Sequence, residues 1–156
     1  MINRSDLENF WTRGDIHTRI HKAMSQAGLN DKKLEIEDLF PIDQYHARGI
    51  AATVDLGKRM PISENQRIID IGCGLGGPAR YFAKQFKCLI TGIDITPSFI
   101  EIGNKFNNLT SMSKQVSLQI GNGETLDFED EAFDGGYSQH VTMNIKNRKD
   151  FFLEAY

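Results

Sequence analysis

Cysteine is scarce in this 156-residue chain, which holds only Cys73 and Cys88. Two thiols without metal-site spacing leave no disulfide framework, and they read as reduced thiols of a cytoplasmic protein. No stretch approaches the ~18 apolar residues of a membrane span, and the opening MINRSDLENF lacks the apolar core of a secretion signal. There is no polybasic run and the formal net charge is −3. The chain therefore has no general electrostatic attraction to nucleic acid. Repeats and low-complexity linkers are also missing, and the length suits one domain with a core of its own.

Glycine, by contrast, is concentrated at one place. Residues 68–83 read IIDIGCGLGGPARYFA. The pattern predicts a buried strand over 67–71, a tight turn at Gly72, Gly74, Gly76 and Gly77, and a helix from Pro78 to residue 86 with Ala79, Phe82 and Ala83 on its apolar face. Glycines let a ligand approach the backbone closely, and a helix N-terminus aims free N–H groups at it. Gly72, Gly74 and Gly77 satisfy the dinucleotide fingerprint G-x-G-x-x-G. Asp70, two positions before the first glycine, argues for a different ligand. A like charge ~4 Å away costs up to ~4 kcal/mol at an effective dielectric of 20. A diphosphate meets that cost. S-adenosylmethionine (SAM), with its α-ammonium and sulfonium, does not. The turn also lacks a lysine, and its only nearby cation in sequence is Arg80. The charge pattern favours SAM over NAD, with a ligand-free strand-to-helix turn as the alternative. Cys73 in this turn is either a reactive thiol at a helix N-terminus or a small residue that fits.

Before residue 60 the pattern is helical. Ser5 with Glu8 fits a capping box for a helix holding Leu7, Phe10 and Trp11. Ile16, Ile20 and Met24, with Ala23 and Ala27, mark one face of a second helix that Gly28 ends. His17 and His21 stand four apart there without a third ligand nearby, and read as surface histidines. Ile36, Leu39 and Phe40 form a short apolar cluster before Pro41, and residues 50–60 form a third helix. Residues 1–60 are thus expected to be a helical cap and residues 61–156 a ligand-binding core. In the core, strands at 67–71, 88–93, 116–120 and 133–138 alternate with helices. Thr96 and Pro97 open the helix to about residue 109, and Asn147 caps a last one over 148–155. Such alternation implies an α/β fold with a parallel sheet, whose ligands bind at the carboxyl ends of the strands where strand order reverses.

Every polar candidate falls at such an end. Asp94 closes the second strand, twenty residues after Gly74, where a carboxylate accepts both hydroxyls of a ribose. Its alternative is capping of the next helix, for which Thr96 is better placed. Asn122, after the third strand, reads either as a contact to an adenine amino group or as a turn residue. Gln139 and His140 end the fourth strand. His140 is a candidate to orient or deprotonate a nucleophile, or else a histidine satisfied by backbone groups.

The run from Asp70 to Gly76 (D-x-G-x-G-x-G), the GID at 92–94 and the FD–Y–QH pattern at 133–140 together resemble class I SAM-dependent methyltransferases. The similarity is greatest to small-molecule enzymes of the sarcosine/dimethylglycine, phosphoethanolamine and quinone C-methyltransferase type, which carry segments like DQYHARGIAAT, GCGLGGPARY and QHVTMNI. It runs from about residue 40 onward. The resemblance implies a Rossmann-like, doubly wound parallel sheet. It implies that Gly72 and Gly74 contact the methionine part of SAM, with Asp70 acting there partly through water. Asp94 takes the ribose, Ile95 packs on the adenine, and Asn122 and Gly123 flank the adenine edge. Tyr45 and His46 close over the cofactor from the cap, and Gln139 borders the methionine end. Two departures stand out. These enzymes usually have Asp at the Asn122 position, so the adenine contact is expected to be weaker. The phosphoethanolamine type has an acid and a histidine where this chain has His140 and Asn144, which argues against a phosphobase substrate.

Substrate class narrows by absence. Methylation of exocyclic base nitrogens goes with an N/D-P-P-Y/F run after the fourth strand, whereas residues 138–144 read SQHVTMN. The expected acceptor is a small metabolite with an amine, hydroxyl or activated carbon, with His140 as first candidate base and His46 as second. The rival readings are a non-catalytic SAM-binding fragment and an NAD(P)-dependent oxidoreductase. Four strands, against seven in the enzymes it resembles, imply a domain incomplete at its C-terminal side. Such a domain is expected to show little turnover alone and to expose a strand edge that invites self-association.

Overall fold

In the computed structural model, which describes residues 16–26, 28–29, 33–44 and 46–156, four strands form one parallel sheet. They are β1 (Arg67–Ile71), β2 (Leu89–Asp94), β3 (Val116–Ile120) and β4 (Gly135–Tyr137), in the order β3-β2-β1-β4. The chain steps outward from β1 to β3 and then returns to place β4 on the other side of β1, pairing Asp70 with Gly92 on one flank and with Tyr137 on the other. This is the doubly wound α/β arrangement that the strand–helix alternation implies. Its point of reversal lies beside Asp70.

Helices α1 (Ile16–Gln26), α2 (Ile36–Asp43) and α3 (Ile50–Gly57) precede the sheet. Helices α4 (Gly77–Phe86), α5 (Pro97–Leu109) and α6 (Arg148–Glu154) follow β1, β2 and β4, the last after a short 3-10 turn at Thr142–Asn144. The two-residue period of β1 sorts its side chains. Ile68 joins Ile90, Val116 and Leu118 against Ala79, Phe82 and Ala83 of α4, whereas Ile69 and Ile71 join Ile93 against Phe151 of α6. Each fully buried side chain of this kind contributes about 1.5–3 kcal/mol. Leu118 interlocks most tightly. A Cβ added at Gly76, Gly92 or Gly103 would stand 2.5–2.7 Å from one of its methyl carbons.

The stripe Ile16, Ile20 and Met24 packs on Leu39 and Ile42 of α2 and on Ile102 and Phe106 of α5, as its spacing predicts. The cluster at 36–40 differs from expectation, because it is a helix that runs through Pro41 to Asp43. Glu35 and Asp38 close a capping box at its start. Pro41 removes one N–H late in a two-turn helix, where few intrahelical bonds remain to lose. Helix α3 stops at Gly57, short of residue 60; β2 begins at Leu89, one residue late; β4 keeps only the middle of 133–138. Phe133 instead packs edge-on against Phe128, with ring centroids 4.9 Å apart. Thr96 takes the N-cap position of α5 without a side-chain capping bond, while the Asn147 side chain does cap α6. His21 is exposed. The helix expected around Ser5, the His17 side chain, Ala27 and Tyr45 lie outside the described residues. Among the described residues, no helix is long and apolar enough to cross a membrane.

Candidate functional site

The carboxyl ends of the strands open into a cleft of about 390 Å³, within the usual range for small-molecule sites. Its floor is the glycine turn. The N–H groups of Gly72 and Cys73 both donate to Ile93 O, at 2.8 and 2.9 Å, and tie the turn to β2. Gly72 has φ of 84°, and a Cβ there would lie 2.3 Å from a methyl carbon of Val141. Conformation and contact both require glycine at this point. Cys73 is buried, and burial, with Asp70 and Asp94 adding, pushes its thiol well above the ordinary range. It fills the turn as a small buried side chain, in surroundings that disfavour a thiolate.

Asp94 stands at the end of β2 with its carboxylate divided between two backbone donors. Oδ2 accepts from Gly74 N–H at 3.0 Å and Oδ1 from Thr96 N–H at 2.9 Å. It thus joins the glycine turn to the start of α5. Each oxygen keeps a second lone pair for a ligand hydroxyl. Burial raises its pKa, and the two N–H donors oppose that shift. Asp70, at the end of β1, is buried and accepts from Tyr137 Oη at 2.8 Å. Burial pushes it up to about 7, Tyr137 opposing and Asp94 adding to the rise. No Lys or Arg is among the described hydrogen-bond partners of Asp70.

Arg80 is paired elsewhere. Its guanidinium is fully buried and committed to partners of its own, among them Leu75 O of the turn at 2.5 Å. It donates to Asp43 Oδ2 at 2.9 Å, Asn107 Oδ1 at 2.7 Å and Gly103 O at 3.2 Å. Asp43, at the end of α2, is pushed up to about 6 by burial, with Arg80 opposing. Lys146, an exposed residue, is the one Lys or Arg among the described residues that line the cleft.

The cap-side wall is polar and holds residues that sequence reasoning passed over. Thr53 of α3 is wholly buried. Its Oγ1 lies 2.7 Å from Gln44 Oε1, 3.2 Å from His46 Nε2 and 3.3 Å from Gln139 Oε1. His46 and His140 stack at 5.3 Å with planes 13° apart. Burial holds His46 below the usual histidine range, with the Ala47 backbone opposing and His140 adding to the depression. His140 is exposed, with its backbone in the left-handed region at φ 58°, where a residue with a Cβ is strained. Gln44 and Thr53 lie at the ends of the segment DQYHARGIAAT, Gln44 in a polar run and Thr53 as the one hydroxyl in the apolar stretch of α3.

All ten described residues singled out from sequence line this one cleft: His46, Asp70, Gly72, Gly74, Asp94, Ile95, Asn122, Gly123, Gln139 and His140. Asn122 sits after β3 with Oδ1 accepting from Glu124 N–H at 3.0 Å, in a local turn.

A doubly wound sheet with a glycine turn between two acidic strand ends defines a nucleoside-binding α/β domain. Residues 69–156 match the family described as "Methyltransferase domain", and the chain belongs to that family. It is 32% identical over 101 residues to a sterol 24-C-methyltransferase of Debaryomyces hansenii, an alignment covering 65% of this chain and 27% of that protein. It is 26% identical over 119 residues to phosphoethanolamine N-methyltransferase 1 of Arabidopsis thaliana, covering 76% of this chain and 24% of that one. The chain thus spans about a quarter of the length of these relatives. In fold it is similar to geranyl diphosphate C-methyltransferase from Streptomyces coelicolor A3(2), with a TM-score of 0.64 and 20% identity over 67% of this chain and 38% of that one.

Proposed function

We propose that the cleft binds SAM and that the protein transfers its methyl group to a small-molecule acceptor. The observation that carries this reading is the pair of carboxylates, Asp70 and Asp94, flanking a glycine turn, neither of them bonded to a Lys or Arg among the described residues. In this reading Gly72 and Gly74 leave room for the methionine part beside Asp70. Asp94 takes the ribose with its free lone pairs, while Ile95, Asn122 and Gly123 border the adenine. His46 closes over the cofactor from the cap, and Gln139 borders its methionine end. Residues 1–60 act as a cap, held to the 61–156 core through Asp43–Arg80 and Thr53–Gln139.

SAM supplies an activated methyl: the acceptor's lone pair bonds to its carbon as the C–S bond breaks, and that electron pair stays on sulfur. The protein's part is to align the acceptor at ~3–3.5 Å and exclude water. His140, with His46 behind it, accepts the proton that an amine or hydroxyl loses, a role typically giving ~10²–10⁴-fold.

Calorimetry with SAM, S-adenosylhomocysteine and NAD tests the reading, which expects the first two to bind and NAD not to. Asp94→Ala removes a charge-assisted acceptor worth about 1.5–3 kcal/mol, so SAM affinity should fall at least ~10-fold; unchanged affinity would remove Asp94 from the ribose. His140→Ala should lower turnover far more than SAM affinity. Relatives named for a sterol and for phosphoethanolamine differ widely in acceptor, so labelled-methyl incorporation should be screened over amines, phenols and olefinic carbons. SAM binding without incorporation into any class would favour a SAM-binding unit over a transferase.

A further inference from the structure

We propose that Thr53 is a positioning residue for His46: its hydroxyl holds the imidazole as the Nε2–H tautomer and leaves the free lone pair on Nδ1. The inference rests on reading the cleft as the methyl-transfer site. It starts from a count of protons. Thr53 Oγ1 has one hydrogen and three polar neighbours, Gln44 Oε1 at 2.7 Å, His46 Nε2 at 3.2 Å and Gln139 Oε1 at 3.3 Å. A separation of 2.7 Å is that of an O–H···O bond, whereas 3.2 Å suits N–H···O. The hydroxyl proton therefore goes to Gln44, and the Thr53 oxygen accepts from His46 Nε2–H. A half turn of the Gln139 amide lets its NH₂ donate to the second lone pair of the same oxygen.

With Nε2 protonated, Nδ1 is the unprotonated nitrogen. It is shielded from solvent and has no hydrogen-bond partner among the described residues. Burial holds the ring below the usual histidine range, which favours the singly protonated form in which the tautomer matters. The stack on His140 fixes the plane of the ring, and Thr53 fixes its rotation within that plane. Because Thr53 is fully buried in α3, its hydroxyl is a rigid reference for a side chain carried by the loop between α2 and α3.

The test is nitrogen-15 NMR of the full chain in wild type, Thr53→Val and Thr53→Ser, with His46→Gln to assign the signal. The wild type and the Ser variant should show His46 protonated at Nε2 near pH 7.5, with that proton protected from water exchange. The Val variant keeps the shape without the acceptor. It should lose protection by about 2–10-fold, the range for one neutral hydrogen bond, and should populate both tautomers. Protonation at Nδ1 in the wild type, toward the Ala47 backbone, would overturn the proposal, as would equal protection in Val and wild type. Neither readout depends on turnover. Failure of S-adenosylhomocysteine to bind would sink the functional reading while leaving the tautomer result standing on its own.

Discussion

Asp43→Ala should destabilise the folded chain by about 3–5 kcal/mol, the usual cost of leaving one member of a buried ion pair without its partner. Arg80 is fully enclosed, and its other described acceptors, Asn107 Oδ1 and the carbonyls of Gly103 and Leu75, are neutral. Removing Asp43 would therefore strand a full positive charge in the interior. The double variant Asp43→Leu with Arg80→Met should recover much of the loss, because burying the two charges costs desolvation that apolar side chains do not incur. Denaturant titration of the two variants checks this, and a single variant within 1 kcal/mol of wild type would mean the pair is not enclosed. The pair also joins the end of α2 to the glycine turn. A Cβ at Gly77 would stand 2.5 Å from Asp43 O, so loosening α2 disturbs the floor of the cleft.

Asp70 should make both stability and cofactor affinity depend on pH, in opposite senses. Its folded-state pKa of about 7 lies above the ordinary 3.8, so the folded chain holds this proton more tightly than the unfolded one. The stability it contributes is full below pH 3.8 and is lost as pH rises through 7. A cationic ligand beside Asp70 favours the ionised form. SAM affinity should therefore climb as pH rises through 7, by up to ~10-fold for each unit by which the ligand lowers the pKa. Asp70→Asn keeps the shape and removes the titration. Its affinity should be low and nearly flat between pH 5.5 and 8, and its stability should fall less over that range. Asp43, at about 6, titrates in both proteins, so the difference between them isolates Asp70. Wild-type affinity that does not change with pH would place the cofactor's charge away from this carboxylate.

The parts of this architecture governed by local rules were legible in the sequence. A buried strand, crowded glycines and a proline at the first helical turn leave little choice of conformation for 67–86, and period-two and period-3.6 patterns set the remaining strands and helices. Most site residues followed because they occupy the carboxyl ends of strands, where the topology itself gathers them, whereas His46, between α2 and α3, was reached only through the family resemblance. What escaped depends on partners distant in sequence. Arg80 reads as a cation beside the turn, and only packing of α2 and α5 reveals Asp43 and Asn107 as its partners. Pro41 reads as a stop, yet two turns of helix closed by a capping box tolerate it. Thr53 is one hydroxyl in an apolar helix, and Gln139, the partner it meets from the end of β4, is 86 positions away.

Leu118 carries a consequence for how this sequence can drift. One methyl-tipped side chain fills the space left by three missing side chains, at Gly76 in the turn, Gly92 in β2 and Gly103 in α5. The four positions share one fixed volume. An added methyl at any of the three meets Leu118, and a smaller residue at 118 does not by itself admit it: at Gly92 the Cβ would still stand 2.8 Å from Cys73 Cβ, at Gly103 2.9 Å from Leu75 O, and Gly76 keeps a φ of 76°. Substitutions there are therefore refused singly and are not rescued by a change at 118 alone. The floor of the cleft, though exposed to ligand on one side, is held in register from the other side by a residue that never touches the ligand.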